Sequence, residues 1–135
     1  MMTASEIVSK MFDSDAYSQW LGISIDSISE GKCELSMKIR KDMLNGFGIA
    51  HGAITYALAD SALAFASNSH GRHSVSIDTS INHIESLKDG DKITAIAKEE
   101  ALKNKFGFYT VEIKKENIIV ALFKGTVFRS EKEWQ

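Results

Sequence analysis

Apolar residues fall three and four apart at the start of the chain and two apart through most of the remainder. Thr3 and Glu6 have the spacing of a capping box. Behind them, Ile7, Val8, Met11 and Phe12 make one helical stripe. Asp13-Ser14-Asp15 interrupts it. Ala16–Leu21 reads as a short further turn, with Tyr17, Trp20 and Leu21 facing inward and Gly22 ending the helical region. Ile23–Ser29 and Lys32–Arg40 flank Glu30-Gly31 as a hairpin. In the second strand Cys33, Leu35, Met37 and Ile39 alternate with Glu34, Ser36, Lys38 and Arg40, so one face is buried and the other wet.

Ala53–Asn68 is the one long helix in the body of the chain. It is crowded with Ala57, Ala59, Ser61, Ala62, Ala64, Ala66 and Ser67. Small side chains on several faces let a sheet approach closely, which predicts burial nearly all round. Four strand-like runs follow. Val75, Ile77, Thr79 and Ile81 alternate with Ser76, Asp78, Ser80 and Asn82. Then come Ile93–Lys98, Phe106–Lys115 and Ile118–Arg129. Glu131–Gln135 reads as a frayed tail. Short turns make the sheet mostly antiparallel. The class is α+β: a curved sheet wrapped around one long central helix, plus an N-terminal helix.

Composition narrows the function. The 135 residues suit a single domain spanning 1–135. A net charge of −2 gives no footprint for nucleic acid. No apolar run approaches the roughly 20 residues of a membrane span, and no signal-peptide pattern opens the chain. A single cysteine, Cys33, rules out an intrachain disulfide framework and points to a reducing, cytoplasmic setting. Proline is absent, so turns must rest on Gly, Asn, Asp and Lys.

Chemistry concentrates in Asn45–Asp60, a polar Gly-rich loop running straight into the small-residue helix. Asp60 stands out. No Lys or Arg lies within residues 49–71, so no local ion pair explains it. An unpaired carboxylate on an apolar helix is costly unless neutralised or hydrogen-bonded. It either faces solvent or serves as a base or nucleophile tuned by burial. Gly52 stands where loop becomes helix, and its N–H suits an oxyanion; an ordinary helix entry is the plain alternative. Asn45 reads as a turn residue whose amide could also hold a water or a carbonyl. His51 is a packing histidine or a partner in base chemistry. Cys33 belongs to the core. His70-x-x-His73 falls in a predicted loop with no Cys and no second close pair, so with His83 it gives only a weak metal signal, and no metal or other cofactor is expected. Lys103, Asn104 and Lys105 form a basic turn that could meet a phosphorylated carrier.

These residues resemble the hotdog-fold acyl-CoA thioesterases, in their phenylacetic-acid-degradation (PaaI-like) branch. The likeness rests on Asn45-Gly46, His51-Gly52 and Leu58-Ala59-Asp60. It extends to Leu21-Gly22-Ile23, Ala66-Ser67-Asn68-Ser69 and Val120–Gly125. The resemblance implies a homodimer with active sites at the subunit interface, often paired again into a tetramer. It implies that Asn45 and Gly52 come from one protomer and Asp60 from the other. Gly52 N–H would meet the thioester oxygen. Asp60 would attack the carbonyl or activate water, Ser76 would help place that water, and His51 would shape the loop. Ala53 stands where many relatives have a second Gly. Glu85-Ser86-Leu87, with His83 nearby, replaces a Pro-containing turn beside the pocket. The expected activity is hydrolysis of an acyl-CoA to free acid and CoA. The alternatives are an enoyl-thioester hydratase and a non-catalytic acyl-CoA-binding module.

Overall fold

A computed structural model describes residues 1–135. Helix α1, Ala4–Asp13, opens with the expected box: Thr3 Oγ accepts from Glu6 N–H, and the Glu6 carboxylate accepts from Thr3 N–H. Its stripe buries Ile7 and Val8, and Phe12 meets Phe65 edge-on. Helix α2 is Ala16–Leu21, capped by Asp15 and ended by left-handed Gly22. Tyr17 and Trp20 do not face inward as expected; they are 53% and 45% exposed. Six residues can bury only one side of a helix. Here that side is Ser18 and Leu21, with Ser18 Oγ hydrogen-bonded to Ser61 Oγ. The two aromatic rings stack on each other outside, with the Arg40 guanidinium over Trp20.

The strands are β1 Ser24–Ser29, β2 Lys32–Lys38, β3 Arg72–His83, β4 Lys92–Lys103, β5 Phe106–Lys115 and β6 Ile118–Glu133. They form one antiparallel sheet in the order β1-β2-β4-β5-β6-β3. The chain leaves β2, passes through a short helical turn at Lys41–Met43, and crosses the concave face as α3, Gly52–Asn68. It then descends the far edge as β3. This is the hotdog fold.

Helix α3 packs against every strand, and its small residues explain how. Ala59, Ala62 and Ala66 are fully buried. Where α3 carries a large side chain instead, the sheet gives way. A Cβ on Gly125 would stand 2.6 Å from Leu63 Cδ2. Burial is nevertheless incomplete. Ala53, Tyr56, Ala57, Asp60 and Ala64 keep some exposure, and their spacing of three and four puts them on one face.

Two expectations about the later strands need correction. Val75 and Ile81 do not share a face, because the register shifts between Ser76 and Asp78. Val75 lies outside beside Phe128, which pairs in turn with Phe106. Nor is the C-terminus frayed. β6 continues to Glu133, and the Trp134 indole stacks on His73 and donates to Asn68 Oδ1 at 2.9 Å. Asn68 is buried at the end of α3 and draws the tail onto the body.

Candidate active site

The loop before α3 is built by its own polar groups. Asn45 Oδ1 accepts from Phe47 N–H at 2.9 Å and Ile49 N–H at 3.4 Å. Its carbonyl accepts from Gly48 N–H, and Gly48 takes the left-handed conformation that closes the turn. With its oxygen committed to the loop, only the Asn45 amide N–H group is left for a ligand. His51 is the N-cap of α3, and its Nδ1 accepts from Ala53 N–H at 3.1 Å. That bond caps the helix entry.

Gly52 is the first residue of α3, and no acceptor in the chain takes its N–H. The group points out of the helix start, where the dipole favours negative charge. His83, at the end of β3, lies against it: a Cβ on Gly52 would stand 3.2 Å from His83 Nε2. Asn45, Gly52, Thr55 and His83 line one cleft of about 310 Å³, with Glu85 and Ser86 on its rim.

Asp60 lies elsewhere. It lines a separate cavity of about 240 Å³ with Ser67, Ser74 and Ser76 on its polar side and Leu63 and Val127 on its apolar side. The carboxylate is half-buried and joins no salt bridge. Burial pushes its pKa up, and the nearby Asp15 carboxylate adds to the rise. The shift in register at Ile77 sets Ser76 on this cavity. A strictly alternating strand that turns Ile81 inward would have turned Ser76 out.

The expected residues thus fall into two groups. Asp60 stands eight positions after Gly52 on the helix, about 12 Å along the axis. The Gly52 N–H also points away from Asp60. No small group held by that N–H can meet the Asp60 carboxylate of the same chain. Lys103, Asn104 and Lys105 line neither opening. They form the β4–β5 turn, with Asn104 left-handed and its carbonyl held by Arg72 and Arg129. His70 bonds Glu99, and His73 stacks on Trp134. Thr55, Ser67 and Ser74 were not legible beforehand. They are ordinary polar residues whose place at a cleft depends on the sheet.

Known proteins share this fold. Residues 47–121 match the family model of the thioesterase superfamily. The acyl-coenzyme A thioesterase PaaI of Escherichia coli K12 is 36% identical over 120 residues, covering 88% of this chain and 86% of its own. The structure of the E. coli PaaI protein from the phenylacetic acid degradation operon superposes with a TM-score of 0.94 at 34% identity. It covers 96% of this chain and 95% of that one. A mutant of the phenylacetic acid degradation protein PaaI from Thermus thermophilus gives 0.84 at 37% identity, covering 86% and 100%. A hypothetical thioesterase protein from Streptococcus pneumoniae, solved with coenzyme A, gives 0.86 at 25% identity, covering 93% and 98%.

The chain belongs to the thioesterase superfamily and is a hotdog-fold thioester hydrolase. Within it, the chain stands with the PaaI acyl-CoA thioesterases.

Proposed function

We propose that the chain hydrolyses acyl-CoA thioesters at sites shared between two copies. Gly52 N–H of one copy holds the thioester oxygen, and the Asn45 amide positions the same group. Asp60 of the second copy attacks the carbonyl carbon or takes the proton of an attacking water, with Ser76 placing that water. With water as the attacker, the carbon–sulfur bond breaks to leave the acid and the CoA thiol; with Asp60 as the attacker, it leaves the thiol and an Asp60–acyl anhydride, which water then hydrolyses to the acid and the free carboxylate.

The observation that carries this reading is Asp60: a half-buried carboxylate with no counter-ion, raised in pKa, facing a cavity beside Ser76. The case for two copies is geometric. Gly52 and Asp60 are too far apart on one helix to share a carbonyl. The half-exposed strip of α3 carries Asp60 toward the side left open. β3 offers a twelve-residue edge, and its outer side has no strand partner. The CoA bound to the pneumococcal relative favours CoA as the carrier.

The test is thiol release from a panel of acyl-CoAs by the parent and Asp60→Ala. The parent should turn over at least one member, and the variant should lose nearly all of that rate. Sharing has its own test. Gly52→Pro removes the N–H at a position where a helix tolerates proline. Mixing it with Asp60→Ala should restore up to about a quarter of parental activity, because hybrid pairs keep one intact site. No recovery after verified subunit exchange would refute the shared site.

A further inference from the structure

The proposed hydrolysis gives His83 no task, yet its ring is held in a defined way. Thr55 Oγ donates to the Gly52 carbonyl at 3.1 Å, and the same oxygen lies 3.2 Å from His83 Nδ1. With its one hydrogen directed at the carbonyl, Thr55 Oγ can receive a hydrogen from Nδ1, and we take this tautomer. The neutral ring then carries its lone pair on Nε2. That nitrogen is the ring atom nearest Gly52, which has no side chain in its way. A hydrogen-bond acceptor therefore stands against Gly52, in the cleft that both residues line.

The two openings differ in character. The Asp60 cavity has apolar walls in Leu63, Ala64 and Val127. The Gly52 cleft is the more polar of the two, setting Asn45, Thr55, Glu85 and Ser86 among Ile49, Ala50, Ile84 and Leu87. A thioester whose carbonyl sits at their junction sends its apolar acyl chain to the first and its polar thiol arm along the second. This step rests on the shared-site reading. The thiol arm of CoA is pantetheine, which carries an amide N–H two carbons from the sulfur. We propose that His83 Nε2 accepts a hydrogen bond from this amide, making His83 the residue that selects amide-bearing thioesters.

The experiment compares two esters of one acyl group, its N-acetylcysteamine thioester and its ethanethiol ester, which lacks the amide. Parent, His83→Phe and His83→Gln are assayed on both. For the amide-bearing ester, His83→Phe should raise KM about three- to tenfold with little change in kcat. For the ethanethiol ester it should change neither by more than about twofold. His83→Gln, whose side-chain oxygen can still accept, should recover most of the loss. Equal losses on both esters, or none on either, would overturn the assignment.

Calorimetry with free CoA reads the same contact without turnover, and His83→Phe should bind about three- to tenfold more weakly. If no ester is hydrolysed but this weakening appears, the hydrolysis reading fails and the His83 contact stands. If hydrolysis proceeds and CoA binds both proteins equally, the His83 contact alone fails.

Discussion

Replacing Asp60 with Asn should make the protein more stable and less active at once. The carboxylate is half-buried, has no counter-ion, and faces added repulsion from Asp15. Its pKa in the folded chain is raised, so the folded state holds the proton more tightly than the unfolded state does. The ionised form therefore opposes folding. The penalty is absent below the unfolded pKa, grows between the unfolded and folded values, and is complete above the folded one. Because solvent still reaches the group, the cost is about 1 kcal/mol rather than the several of full burial. For a chain of this length, that corresponds to about 3–5 °C in Tm. Thermal scans of parent and Asp60→Asn at pH 7 and pH 3, at one protein concentration, measure it. The variant should melt higher at pH 7, the gap should close at pH 3, and thiol release at pH 7 should fall by about a hundredfold or more. A variant that melts lower at pH 7 would show that a partner stabilises the ionised carboxylate, and the reasoning would fail.

Gly125→Ala should cost about 1–3 kcal/mol, because its methyl group would overlap the buried Leu63 side chain; a lower urea midpoint at unchanged m-value would record it. Thr3→Ala removes the side-chain half of the capping box, the bond from Glu6 N–H to Thr3 Oγ, and should cost about 1 kcal/mol, read as a drop in Tm. Cys33 is buried and its thiol pKa is pushed up to about 12 by desolvation. A chromogenic disulfide reagent should label it at least about a hundredfold more slowly in the native protein than in denaturant.

Periodicity revealed most of the fold because most elements bury one face in a regular way. α1, α2, the first hairpin and α3 all begin and end within a residue or two of where capping residues and glycines put them. It failed where a register shift breaks the period. Glu99–Lys103 continues β4 across a bulge between Glu99 and Ala101, and alternation lost beyond Lys98 hid that extension. The irregularity at Ile77 hid which side chains of β3 share a face. Trp20 and Trp134 went astray for another reason. Trp20 reads as inward because it is a large aromatic, but α2 is too short to bury it; Trp134 falls in a tail that reads as frayed because its partner, Asn68, is far away in the chain. In the site, Asp60 and Gly52 were legible because charge on an apolar helix and glycine at a helix entry are local anomalies. Thr55 has no local anomaly, and only the arrival of His83 from β3 gives it a role.

One helix carries both halves of the proposed chemistry, and this explains its composition. In a twofold pair, each α3 lends its N-terminus to one thioester and its Asp60 to the other. The positions of both groups then depend on how deeply α3 sits on its sheet and at what rotation. A slip of one turn would move Asp60 by about 5.4 Å, far more than a reacting carbonyl tolerates. Alanines alone would leave α3 free to slide over a smooth surface. Leu63 seated over Gly125 acts as a peg in a socket, and Ser18 bonded to Ser61 fixes the rotation from the other side. The small residues bring the sheet close, and these two contacts set where on it the helix rests. The carboxylate that opposes folding can therefore be kept at a fixed point, because packing elsewhere on the same helix holds it there.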